Sequence, residues 1–169
     1  MGGPSFVERQ SASGEGSRMS ADSANFAKQM VVCSNCQTKN RVPSVARGVP
    51  RCGKCHTPLP WVVNATDTDF ASVAEAATIP VLVDVWAPWC VPCRMVSPAL
   101  EQLAGELAGR LKLVKVNADE SPAVSGRFEV QAIPTLVLLN RGEVIDKQVG
   151  AAPIAYLRTW VTSKLDSKA

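Results

Sequence analysis

Along residues 61–169 the apolar positions fall into short runs separated by helical stripes. Trp61-Val-Val-Asn64 reads as a short strand. Thr66, with Asp69 three residues on, predicts a capped helix that puts Phe70, Val73, Ala74 and Ala77 on one face. Val81 to Trp86 is a β-branched apolar run, expected of a central strand covered on both sides. Val96, Leu100, Leu103 and Leu107 keep helical spacing, so a helix is expected from about Cys93 to Ala108, kinked at Pro98.

The second half continues the alternation. Leu111 to Val116 is the next strand, and Ser121-Pro122 is a helix-start signal with Gly126 limiting that helix to a turn or two. Thr135 to Leu139 and Val144 to Val149 flank Asn140-Arg-Gly-Glu143, a hairpin turn. Ile154, Leu157, Trp160, Val161 and Leu165 mark a final helix. The predicted class is α/β, a mixed central sheet with helices on both faces.

Residues 1–29 are rich in Ser, Gly and Ala without an apolar period and are expected to be a disordered tail. Met30 would serve as a start with an expression extension before it, and a natural tail fits equally. Residues 30–60 hold few large apolar side chains and too little chain to close a core without a staple. Their five Lys and Arg residues face no Asp or Glu, whereas residues 61–169 carry a small acidic excess within an overall charge of +3. No apolar run reaches the roughly 20 residues of a membrane helix, and residues 1–29 lack a secretory core. A cytoplasmic protein that binds no membrane is the expectation.

The six cysteines form three Cys-x-x-Cys pairs, at 33/36, 52/55 and 90/93. The spacing of Cys33, Cys36, Cys52 and Cys55 fits a four-thiolate Zn²⁺ site of structural type, a small zinc-ribbon module in which Gly53 would ease one turn. The module's five cations would offset the charge of such a centre. Two disulfides, His56 as a ligand, and a basic ribbon touching nucleic acid are the competing readings; the last lacks an aromatic platform, so no nucleic-acid partner is expected.

Cys90 and Cys93 sit differently. The strand ending at Trp86 runs into Cys90 just where a helix opens, and unpaired N–H groups with the helix dipole favour a thiolate there. Cys93 lies one turn further in, and Pro92 suits the first turn. A third metal half-site or a pair of structural thiols is the alternative. Asp84 is a carboxylate inside an apolar strand, costly unless partnered, or else a solvated residue at a strand edge. Trp86 reads as core packing.

Trp89-Cys-Val-Pro-Cys93, with Asp84 before it and Ile133-Pro134-Thr135 after it, resembles the thioredoxin family over residues 61–169. With the cysteine module in front, residues 30–169 are similar to the zinc-containing bacterial thioredoxin 2 group. The resemblance implies a thioredoxin fold and a general protein disulfide reductase without a bound organic cofactor. It also implies recycling by thioredoxin reductase with NADPH and substrates that are disulfide-containing proteins such as reductases and peroxidases. It makes Cys90 the attacking and Cys93 the resolving cysteine, Asp84 the buried proton carrier and Lys115 its partner. Pro134 becomes a cis-proline facing the disulfide, and Trp89, Val91, Pro92, Ile133, Gly142 and Gly150 border the substrate groove. Val91 stands where the family usually has Gly, and its β-branch covers part of that groove. An oxidase or isomerase on the same fold, or a module whose zinc thiolates sense oxidant, are the functional alternatives.

Overall fold

The computed structural model describes residues 28–168. The expected tail therefore lies outside the described residues except for its last two, and Gln29 already belongs to the first strand.

Two sheets organise the described residues. The smaller pairs β1 (Gln29–Val32) with β2 (Lys39–Val42) antiparallel. The larger contains β3 (Val62–Ala65), β4 (Val81–Trp86), β5 (Lys112–Asn117), β6 (Thr135–Asn140) and β7 (Glu143–Val149). Its order is β3-β5-β4-β6-β7, with β3, β5 and β4 parallel and β6 and β7 antiparallel to their neighbours. The α-helices among the described residues are α1 (Val91–Glu106), α2 (Pro122–Arg127) and α3 (Ile154–Ser167).

The two-residue alternation of the strands explains the layering. Leu82, Leu113, Leu136 and Leu138 pack on Val96, Leu100 and Leu103 of α1 and Leu157, Trp160 and Val161 of α3. Val63, Val83, Val114 and Val137 face the other way and share a second core with Phe70, Val73, Val124 and Phe128. That second core also contains Cys33, Val42, Cys52 and Leu59, so the four-cysteine segment is packed into the fold rather than strung beside it.

The expected first helix shrinks to one π-helical turn, Ala71–Glu75. Asp69 does make the reciprocal cap, accepting from Thr66 N–H at 2.7 Å. Phe70, Val73 and Ala74 are buried as anticipated, and Ala77 lies beyond the turn. The helix expected from Cys93 begins two residues earlier, because Cys90 itself serves as N-cap and Pro92 occupies the first turn. It ends at Glu106, before Gly109 at φ +86°, where an added Cβ would come within 3.3 Å of Pro58. The hairpin turn places Arg141 and Gly142 at positive φ, the two central positions of a primed turn. Helix α2 is capped from outside itself: Asp67 accepts from the N–H groups of Ala123 (3.0 Å) and Val124 (2.9 Å), while Ser121 makes no side-chain cap.

Candidate active site and metal centre

The redox pair lies where β4 gives way to α1. Cys90 is the N-cap, its Sγ accepting the Cys93 N–H at 3.2 Å, and the two cysteines are joined in a disulfide. Both are buried, Cys90 at 4% exposure, and they pack with Ala87, Trp86 and Ile133. The Ile133–Pro134 bond is cis, and the Ile133 carbonyl oxygen lies 3.7 Å from Cys90 Sγ. The Gly150 N–H donates to the Pro134 carbonyl at 2.8 Å, which fixes the loop after β7 beside that proline. Trp89, 67% exposed, and Val91 and Pro92 rise around the disulfide. The Trp89 indole N–H is held by Asp119 at 3.0 Å. An apolar cleft of about 520 Å³ opens from Trp89 and Ile133 towards Ala118, Pro122 and Val130. Trp89, Val91, Pro92, Ile133, Pro134 and Gly150 thus converge on one surface with the disulfide. Gly142 does not join them: it sits in the β6–β7 turn against Glu75, at the far end of the hairpin from Gly150.

Asp84, on the strand that leads into the redox pair, is 1% exposed, with neither carboxylate oxygen hydrogen-bonded. Burial pushes its carboxyl up to about 6, against the opposing pull of Lys115, with Glu101 adding a little upward. Lys115 is its register partner on β5. Its ammonium, however, reaches Ser97 Oγ at 2.5 Å and Glu101 at 3.3 Å on α1, so no direct Asp84–Lys115 ion pair forms here. Lys115 therefore acts on Asp84 through space. Ser97, Glu101 and Asp119 were not legible in the sequence, because they lie on exposed or half-exposed helix and loop positions with no spacing signal.

The other four cysteines form no disulfide. Their sulfurs all lie within 4.8 Å of one another. Cys33–Cys55 and Cys36–Cys52 approach to 3.5 Å. Zn–S bonds of about 2.3 Å in a tetrahedron put sulfurs about 3.8 Å apart, so the donor set has the size of a four-thiolate centre. The two halves repeat. In each, the residue after the second cysteine, Gln37 or His56, takes a positive φ, and the next residue is a threonine whose hydroxyl lies 3.3 Å from the second sulfur. This repeat corrects the expectation for Gly53, which takes no left-handed conformation; its N–H is instead held by Asn40 Oδ1 at 2.9 Å. Asn40 Nδ2 also lies 3.6 Å from Cys52 Sγ. His56 is exposed and outside the cluster.

The four sulfurs are unevenly poised for ionisation. The Thr57 side chain, then that of Asn35, holds Cys55 down to about 5, and the backbone of Cys55 and Lys54 lowers Cys52. For Cys33 the backbone of Cys36 pulls the thiol down, but burial and the neighbouring sulfurs outweigh it and push it up to about 11. Four sulfurs so close are not all anionic without a positive ion between them. The threonines at the same offset in each pair were readable signals; Asn40 was not.

No helix among the described residues is long and apolar enough to cross a membrane.

The sequence profile of the thioredoxin family matches residues 61–163. The chain is 44% identical over 104 residues to thioredoxin of Haemophilus influenzae, covering 62% of this chain and 97% of that protein. It is 46% identical over 90 residues to thioredoxin 1 of a Nostoc species, covering 53% of this chain and 84% of that one. Thioredoxin C-3 of Corynebacterium nephridii is 33% identical over 142 residues, covering 82% of this chain and 97% of that protein. A match of that length does not fit within residues 61–169 and must extend into the four-cysteine segment. With the mixed sheet, the disulfide at the head of α1 and these matches together, the chain belongs to the thioredoxin family and is a thiol–disulfide oxidoreductase.

Proposed function

We propose that this chain is a general protein disulfide reductase of the cytoplasm, with residues 61–169 as its catalytic domain and residues 30–60 as a zinc-ribbon module. The observation that carries the reading is the Cys90–Cys93 disulfide at the N-terminus of α1, beside the cis Ile133–Pro134 bond, with a buried Asp84 that makes no hydrogen bond on the strand leading into it. In the reduced protein the Cys90 thiolate attacks one sulfur of a substrate disulfide. That S–S bond breaks, a mixed disulfide forms at Cys90, and the first substrate sulfur leaves and takes up a proton from water. Cys93 gives its proton to the Asp84 carboxylate and attacks Cys90 Sγ, which releases the second substrate sulfur. Two electrons have moved to the substrate, and Cys90–Cys93 is left oxidised.

Thioredoxin reductase with NADPH restores the dithiol, and the substrates are disulfide-bearing proteins such as reductases and peroxidases. Trp89, Val91, Pro92, Ile133, Pro134 and Gly150 form the seat for the substrate chain. Cys33, Cys36, Cys52 and Cys55 hold Zn²⁺; four thiolates close its shell, so its contribution is to fasten the module. Cys90→Ser should abolish insulin-disulfide reduction, and Cys93→Ser should trap mixed disulfides on Cys90. Normal turnover by Cys90→Ser would dispose of the proposal.

A further inference from the structure

Position 112 of β5 points into the valine-rich core, on the same side of the sheet as Val114 and Val116, yet it carries a lysine that is 1% exposed. An ammonium taken out of water there costs several kcal/mol unless polar groups meet it. Three segments do. Its Nζ donates to the Ser44 carbonyl at 2.6 Å, just after β2, and to the Val73 carbonyl in the π-helical turn. It also lies 4.1 Å from the Trp61 ring centre, within range of a cation–π attraction. The Trp61 indole N–H in turn donates to the Pro43 carbonyl at 2.9 Å. Two consecutive carbonyls of the four-cysteine segment are therefore gripped by Lys112 of the large sheet and by Trp61 at its edge. Pro43 and Ser44 come directly after Val42, which packs in one core with Cys33 and Cys52.

The grip is far from the redox pair. Lys112 is the register partner of Val81 at the start of β4, whereas Cys90 lies past the other end of that strand, roughly 20 Å along the chain direction. Its reach is along β5, which also carries Lys115, the neighbour of Asp84. Neither the disulfide exchange nor metal ligation uses Lys112.

We propose that Lys112 is the latch between the metal module and the catalytic sheet, closed while the four cysteines hold their metal and opened when the metal leaves. The coupling rests on the zinc reading above. With metal bound, the module keeps residues 42–44 over the ammonium. Without it, the two cysteine pairs lose the staple that joins them, and residues 42–44, which lie between the pairs, are no longer pinned from that side. Lys112 then loses the Ser44 acceptor and its cover, and water reaches the amine. Linkage makes the effect reciprocal, so breaking the latch must weaken retention of the metal.

The test is pulse acetylation of the full-length, metal-loaded protein, read lysine by lysine by mass spectrometry before and after the metal is transferred to a chelating dye. Lys112 should be protected at first and become labelled about tenfold faster after transfer. Lys147, bonded to the Phe128 carbonyl at the far edge of the sheet, should be unchanged. Lys112→Met should pass its metal to the dye about tenfold faster than the unmodified chain. Lys112 labelling that ignores verified metal loss would overturn the latch. So would labelling that rises in step with Lys147, or a variant that keeps its metal as well as the parent. A chain that takes up no Zn²⁺ overturns the metal reading and the coupling with it, while protection of Lys112 in that same sample still reports docking on its own.

Discussion

Replacing Asp84 with Asn isolates the cost of a buried charge. The carboxyl is lifted from 3.8 to about 6, chiefly by burial. Each pH unit of displacement corresponds to about 1.36 kcal/mol, so ionising Asp84 inside the fold costs about 3 kcal/mol. Between about pH 4 and 6 the native state keeps a proton that the unfolded chain has released, and stability falls as pH rises. Above about 6 the full cost is present; below about 4 it is absent. Asn has nearly the same shape and never ionises, and its amide inherits the same lack of partners that the protonated carboxyl has. Asp84→Asn should therefore be more stable by about 3 kcal/mol at about pH 7 to 8 and equal to the parent below about pH 4. Urea unfolding of both oxidised proteins from about pH 3.5 to 8 measures this, because groups common to both cancel in the difference. A difference that does not vary with pH, or a variant less stable at pH 8, would refute the argument. Reductase turnover should fall in the same variant, since Cys93 loses its proton acceptor.

Asp67→Ala removes the side chain that caps α2 through Ala123 and Val124. Unfolding free energy should drop by about 1–2 kcal/mol with an unchanged denaturant slope, and a variant within about 0.3 kcal/mol of the parent would show the cap to be idle. His56→Ala should keep one metal ion per chain, whereas Cys55→Ser should lose it, both read by atomic absorption; loss of metal from the histidine variant would place the ligand set elsewhere.

Much of this fold is legible where one physical demand dominates. The run Val81 to Trp86 is covered on both faces and reads so, and the stripes at Val96–Leu107 and Leu157–Leu165 bury the sides their spacing predicts. The first helix misleads because Thr66 and Asp69 do form the cap they promise. Beyond that cap Phe70 packs on Phe128, a contact with a residue far along the sequence that no local spacing reveals. Cys90 and Cys93 are readable because strand, cysteine, proline and helix succeed one another locally. The partners of Lys115 are not, since Ser97 and Glu101 meet it only once α1 lies across β5. Lys112 is a legible anomaly, a charged residue in a buried strand as Asp84 is in the neighbouring one. Its meaning depends on the Pro43 and Ser44 carbonyls, whose arrival no local pattern announces.

The most direct measurement tracks the alkylation rate of Cys90 against pH in the reduced, metal-loaded protein, with each cysteine identified by mass spectrometry. Held at a helix N-terminus with the Cys93 N–H upon it, this sulfur should react half-maximally well below the pH of about 8.5 typical of an unstructured cysteine, and well ahead of Cys93. A Cys90 that titrates like the unstructured thiol, or reacts no faster than Cys93, would contradict the assignment of the nucleophile.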